Sequence, residues 1–273
     1  MTPHVSVIPV PVELHHEKLG PRVPLKSNSP AQWIAASGMM LRGVVGSTSH
    51  GLGIEGGSDT DEMGICIEPK HTVMGLGHFE HYRYRTAEPN GPTTDGTSAS
   101  SGPNDLDLTV YGLRRYVGLL TQGNPSLVTP LFLPESALGY INVFGEELRA
   151  NADKFLSKRA HAKYKGYLNK ERLGLLSAKG TPKHAMHALR IGMAGCELLE
   201  KGSVTIPLTG RKLELLRRVR EGTYDQRWVL EQIGRWDVEL DKALAKSPLP
   251  EEPNWNWVNT WLGDVHLRHW RAS

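Results

Sequence analysis

At 273 residues, 39% hydrophobic and 22% charged, the chain can bury a substantial core as one large domain or two small ones, and its composition is that of a soluble globular protein. No apolar run approaches the roughly eighteen residues of a membrane helix. The opening MTPHVSVIPVPVELHHEKLG also lacks the charged start and continuous apolar centre of a secretory signal, so the cytoplasm is the expected location and no membrane partner is expected.

In chain order, Ser29-Pro30 reads as a helix cap and first position, and AQWIAASGMM as a short helix. Leu41, Val44 and Val45 form an apolar, partly β-branched run that favours a strand over about 41–46, ended by Gly46-Ser47 where the backbone must turn. Further strands are predicted over 61–68, 80–86 and 105–111. Between the last two, EPNGPTTDGTSASSGPN (residues 88–104) is nearly free of apolar side chains and is expected to be a mobile loop beside the site. Leu113, Tyr116, Val117, Leu119 and Leu120 have helical spacing, and Gly123-Asn124-Pro125 should stop that helix. From about residue 140 the pattern is mostly helical, with Gly202 and Pro248 as stops. Pro248 is predicted to end the last helix, and Trp255, Trp257, Trp261 and Trp270 to dock a tail on the core. Cys66 and Cys196 lie in apolar stretches far apart and are expected to be buried packing residues. The expected fold class is α+β: a small mixed sheet flanked by helices, then a mostly helical half, with domains at 1–138 and 139–273.

The chemistry concentrates in LRGVVGSTSHGLGIEGGSDTDEMGICIEP, residues 41–69. A glycine at the Gly46-Ser47 turn lets main-chain N–H groups approach an anion. A helix beginning at Ser47 would add its N-terminal N–H groups, its dipole and the Ser47 hydroxyl. Asp59 and Asp61, two apart in a strand, would project to one face. Such a pair repels itself until a hard cation relieves it, and it suits a two-metal displacement at phosphorus. In the strand-like run 105–111 either Asp105 or Asp107 could supply a third carboxylate.

Three stretches together resemble the DNA polymerase beta-like nucleotidyltransferase superfamily, and especially its stand-alone bacterial and phage branch. They are Gly46 to Gly64, with glycine-serine followed by Ser58-Asp59-Thr60-Asp61; Asp107-Leu108-Thr109-Val110-Tyr111-Gly112-Leu113-Arg114-Arg115 running to Gly123-Asn124-Pro125; and His187-Ala188-Leu189-Arg190. The resemblance spans roughly residues 40–210. It implies Asp59, Asp61 and Asp107 as ligands of Mg²⁺ or Mn²⁺, with Gly46 and Ser47 on the phosphates of an NTP substrate. It favours Asp107 over Asp105. Gly112 departs from the family pattern, in which a larger or hydroxylated residue is common, and Gly56-Gly57 loosens the approach to the acid pair.

The formal net charge of +3 hides an asymmetry: residues 41–110 hold four Lys/Arg against ten Asp/Glu, and residues 151–220 hold sixteen against five. The basic half points to a polyanion and tilts the acceptor towards nucleic acid, RNA favoured, over a protein or small-molecule hydroxyl or a non-catalytic binding module. Within that half Lys183, His184, His187 and Arg190 share a helical face and could hold the triphosphate or base, Arg190 being the best phosphate clamp. Arg114 and Arg115, just past the third-carboxylate strand, are expected within reach of phosphate.

Overall fold

In a computed structural model of the chain, residues 29–53, 60–86, 105–177 and 180–272 are described. Asp59, the Gly56-Gly57 pair and the 88–104 segment lie outside them. The Ser29 hydroxyl accepts from Gln32 N at 3.2 Å and starts α1 (Pro30–Ser37). Met39 and Met40, expected at the end of that helix, instead open β1 (Met39–Val44), because Gly38 breaks the helix and their side chains enter the cores of the sheet. After α2 (Gly46–Ser49) come β2 (Thr60–Cys66), α3 (Lys70–Met74), β3 (His81–Arg85) and β4 (Leu106–Gly112). Helices α4 (Leu113–Leu120) and α5 (Pro125–Val128) follow, α5 capped by the Asn124 side chain. A fifth strand, β5 (Leu138–Ile141), was not anticipated: its four residues are too few to show a period.

The sheet is mixed, in the order β3-β4-β2-β1-β5. Strands β2 and β4 are parallel, and the other neighbours are antiparallel. Alternation along β3 and β4 separates two faces. Tyr82, Leu108 and Val110 turn to the α1 side and form a small core with Ile34, Ala35, Met39 and Cys66. Asp107, Thr109 and Tyr111 therefore face the opposite side, where the larger core and a cavity lie. On the buried α1 side Glu62 is paired with Arg42 at 2.6 Å.

The second half is helical: α6 (Val143–Ala150), α7 (Ala152–Phe155), α8 (Ala160–Leu176), α9 (Pro182–Lys201), α10 (Gly210–Arg220), α11 (Gln226–Lys246) and α12 (Trp255–Ala272). Helix α9 is buried along much of its length and packs against α8, α10 and α11, and Gly202 ends it in the left-handed region at φ 70°. The division expected between residues 138 and 139 falls within β5, which pairs with β1. One apolar core runs continuously from the sheet through these helices.

Pro248 does not end the last helix. The tryptophan-rich tail is itself a helix, α12, which proline and acidic residues at 248–253 separate from α11. Its docking is specific. Trp261 is buried, lies edge-on to Phe155 at 5.3 Å and stacks on Trp257 at 5.7 Å, while Arg268 forks onto Glu147 at 2.8 and 2.6 Å. His266 Nε2 meets the buried Glu68 at 3.0 Å, and Trp270 Nε1 donates to the Glu68 carbonyl. Trp261→Ala is expected to cost roughly 3 kcal/mol in urea unfolding. A loss within about 0.5 kcal/mol, the range of an ordinary surface change, would show that α12 is not part of the cooperative fold.

Among the described residues no helix is long and apolar enough to cross a membrane. Both cysteines are free and buried.

Candidate active site

Strands β2 and β4 bring Asp61 and Asp107 together. The two are direct Cα partners in the parallel register, so their side chains leave the sheet on the same face, and both line one cavity of about 300 Å³. Asp105, the alternative third carboxylate, accepts from the Thr86 hydroxyl at 2.8 Å and does not line that cavity. Asp107 Oδ2 is met by Arg85 of the neighbouring strand, Nη2 at 2.6 Å and Nε at 2.8 Å. A protein cation thus already answers the negative charge concentrated there.

The glycine-serine turn stands directly against this pair. Val45 N donates to the Asp61 carbonyl at 2.8 Å, and Gly46 follows with φ 68°. A Cβ on Gly46 would come within 2.1 Å of Asp61 Oδ2, so both backbone conformation and space demand glycine. Gly46 lines the cavity. Ser47 is buried in the single-turn helix α2 and is not among the lining residues, while Ser49 Oγ donates to the Gly46 carbonyl at 3.1 Å. Farther along, Arg217 Nη2 donates to the Gly51 carbonyl at 3.0 Å and Arg220 to that of Leu52, so α10 braces the chain leaving the turn.

The cavity's other wall comes from α5, α8 and α9. Arg190 reaches it from α9 and shares a hydrogen bond of 2.9 Å with His50 Nε2, on a residue just past α2. Because the guanidinium only donates, His50 accepts there and carries its proton on Nδ1. Both His50 Nδ1 and Arg190 Nε are buried without a hydrogen-bond partner, and no carboxylate lies within ion-pair distance of Arg190 among the described residues. His50 was not singled out from sequence; its signal is a histidine three residues after Ser47, one helical turn on. His187 lies one turn before Arg190 on α9 and is partly buried, but does not line the cavity. Neither does His184, whose Nδ1 lies 2.9 Å from Thr181 Oγ1 in the capping box that starts α9.

Burial, reinforced by Arg190 and His187, pushes His50 down to about 2. His187 falls to about 3 through burial and then Arg190, Lys183, Arg220 and His184. Both are therefore neutral in the folded protein at neutral pH, whereas unfolded histidine titrates near 6.5. Below that value the unfolded chain takes up protons that the folded one refuses, so their contribution is complete above pH ~6.5 and is lost as pH falls. Melting temperature is expected to drop from pH 6.5 towards 4, each histidine contributing up to about 1.4 kcal/mol per pH unit. His50→Gln with His187→Gln should flatten that drop, and an unchanged pH slope would contradict the burial argument.

Arg114 and Arg115 are not at the acid pair. They begin α4 at the far end of β4, roughly 20 Å along the strand from Asp107. There Gly112 is explained: a Cβ would meet Glu68 Oε1 at 2.5 Å, and that carboxylate accepts from Arg114 N. A larger cavity of about 510 Å³ lies at this end, between α4 and α12; its two carboxylates are on different elements and already partnered, Glu68 by His266 and Arg114 N, and Glu80 by Arg115. The basic excess is also partly neutralised within the chain: Lys158 pairs with Glu251, Arg159 with Glu252, and Lys165 with Asp237 and Asp241. These cations are spread over α8 and the segment before it.

Paired hard-oxygen donors, with a protein cation already drawn to one of them, fit a divalent metal. Among the described residues no group of three His, Cys, Asp or Glu forms a metal site, and Asp59, the remaining expected ligand, lies outside them. Residues 29–264 match the family described as RNA repair pathway DNA polymerase beta family. No curated protein matches the chain. Among solved structures it is similar to the nucleotidyltransferase-like protein from Exiguobacterium sibiricum 255-15, at 12% identity and a TM-score of 0.27, over 78% of this chain and 71% of the other, a likeness too slight to bear on mechanism. With the family match covering most of its length, the chain belongs to the RNA repair pathway DNA polymerase beta family, a family of polymerase beta-like nucleotidyltransferases.

Proposed function

We propose that this protein is a cytoplasmic, metal-dependent enzyme that transfers a nucleoside monophosphate from an NTP to a hydroxyl at an RNA end, releasing pyrophosphate. The observation that carries the reading is one cavity with two unlike walls. The Asp61–Asp107 pair lies against Gly46 on one wall, and an Arg190–His50 pair with unpartnered buried nitrogens faces it from the other. An anion in the cavity would compensate the Arg190 guanidinium, which has no ion-pair partner among the described residues.

In this reading the Gly46 turn and Arg190 hold the triphosphate, with His50 fixing the guanidinium and the Ser47 and His187 regions supporting those contacts. Asp59, Asp61 and Asp107 would hold Mg²⁺ or Mn²⁺, which would neutralise charge at the phosphates and lower the pKa of the acceptor hydroxyl. The acceptor oxygen attacks the α-phosphorus in line and the bond to pyrophosphate breaks. The hydroxyl proton passes to Asp107, whose Oδ2 alone is engaged by Arg85. Arg190 then stabilises the charge that develops on the leaving group.

Incubating the protein with each of four α-labelled NTPs, Mg²⁺ or Mn²⁺, and a mixture of RNA, DNA and protein tests the reading. Nuclease-sensitive label on RNA is expected. Absence of any labelled product despite nucleotide binding would remove the enzymatic assignment. Nuclease-resistant label on protein would transfer it to the second reading, a protein hydroxyl as acceptor, which the internal pairing of Lys158, Arg159 and Lys165 favours. Arg190→Ala should weaken NTP binding about ten- to a hundredfold, as loss of a charge-assisted contact does. Unchanged affinity and rate would take Arg190 out of the site.

A further inference from the structure

Strand β3 reads His-Tyr-Arg-Tyr-Arg, and its register decides what each residue does. Tyr82 is buried under α1, so His81, Arg83 and Arg85 project to the face that carries the acid pair. There they run beside β4 in register: Arg85 opposite Asp107, Arg83 opposite Thr109, His81 opposite Tyr111. The His81 and Tyr111 rings stand 5.9 Å apart. Arg83 and His81 are exposed, and Arg83 has no ion-pair partner among the described residues. Tyr111 and Arg83 line the same cavity as Asp107, with Tyr167 of α8 on the other side and the Lys170 ammonium 6.0 Å from the Tyr167 ring. At the far end Arg115 completes the row, held only loosely by Glu80 at 3.9 Å. The charges of Arg83, Arg115 and Tyr167 all reach the Tyr111 phenol, although burial is the main cause that raises its pKa.

From this arrangement we infer that the row Arg83, Tyr111, His81 and Arg115 is the track on which the acceptor lies, and that the acceptor is a single-stranded nucleic acid whose terminal hydroxyl reaches Asp107. The inference rests on the nucleotidyl-transfer reading above and names the partner of that same site. Three features favour this occupant. Cations flank a pair of aromatic rings along the row, Arg83 before His81 and Tyr111 and Arg115 after them, the combination that holds phosphates and stacks bases without reading sequence. Its length, from Arg85 to His81, is about 13 Å, enough for more than one nucleotide. It follows an edge strand of the sheet, so a polymer can leave sideways, whereas the triphosphate is assigned to the Gly46 turn beside Asp61 and to Arg190 across the cavity.

The probe is a 5′-labelled single-stranded RNA of about twelve nucleotides with a free 3′-hydroxyl. Its affinity for the full chain is measured by fluorescence anisotropy across a salt series, beside the affinity for a labelled NTP. Arg83→Gln with Arg115→Gln alters exposed side chains, and Tyr111→Leu keeps an apolar side chain against the core. Each variant should bind the RNA about tenfold or more weakly. The double variant should lower the slope of log K against log salt by about 1.4, and NTP affinity should stay at the wild-type value. Wild-type RNA affinity and salt slope in the double variant, or a loss confined to the NTP, would overturn the track. If the wild type labels RNA but these variants bind and label it equally well, the track alone fails. If the wild type labels only protein, the RNA acceptor and the track fail together.

Discussion

Asp107→Asn and Asp61→Asn are each expected to fold and to lose transfer of labelled nucleotide by on the order of a thousandfold or more. Asparagine keeps the shape but removes the negative charge and with it, on the proposed mechanism, both the pull on a divalent metal and, at Asp107, the proton acceptor. The cost to stability should be small. Arg85 and Asp107 are partly exposed, at 32% and 15%, so the ion pair between them contributes about 1 kcal/mol at most. Transfer rate and urea unfolding measured on the same preparations check both halves. A variant retaining more than about a tenth of wild-type transfer would place the chemistry elsewhere. Asp105→Asn supplies the contrast: this carboxylate accepts from Thr86 away from the cavity, and its loss should leave transfer close to wild type.

A single added methyl group at Gly46 should be nearly as damaging, for a different reason. Alanine at φ 68° carries a backbone penalty of about 1–2 kcal/mol, and its Cβ would overlap Asp61 Oδ2, at 2.1 Å. Since Asp61 is anchored through Val45 N to its own carbonyl, the side chain must swing rather than the strand shift. Gly46→Ala is therefore expected to unfold about 1–3 kcal/mol more easily and to transfer nucleotide at least a hundredfold more slowly. Wild-type turnover in this variant would show that neither the turn nor the Asp61 rotamer matters. Gly118→Ala is a suitable control, because a Cβ there meets nothing within 4 Å.

These two experiments probe what local sequence already disclosed. β-branched and alternating runs gave four of the strands within a residue or two, and the Gly46-Ser47 turn with Asp61 and Asp107 was legible because strand alternation and turn chemistry are local properties. The Ser29 cap and the Gly202 stop are local for the same reason. Misreadings arose where a nonlocal partner decides. Met39 and Met40 suit a helix, yet packing against the sheet makes them strand. The Trp255–Trp270 segment is a helix whose amphipathic face is matched to Phe155, Glu147 and Glu68, residues more than ninety positions away in sequence.

The same division holds for the site. By itself the sequence determined that the chain turns at Gly46-Ser47, that Asp61 and Asp107 stand on strands, and the family to which the chain belongs, because those depend on residue type at short spacing. Tertiary structure alone decided that His50, not His184, stands with Arg190 at the cavity, and that His184 caps its own helix. It also decided that β3 lies beside β4, which sets Arg85 on Asp107 and makes a row of Arg83, Tyr111 and His81. Period two in β3 tells which residues share a face, but only pairing across strands tells which face that is and what stands opposite.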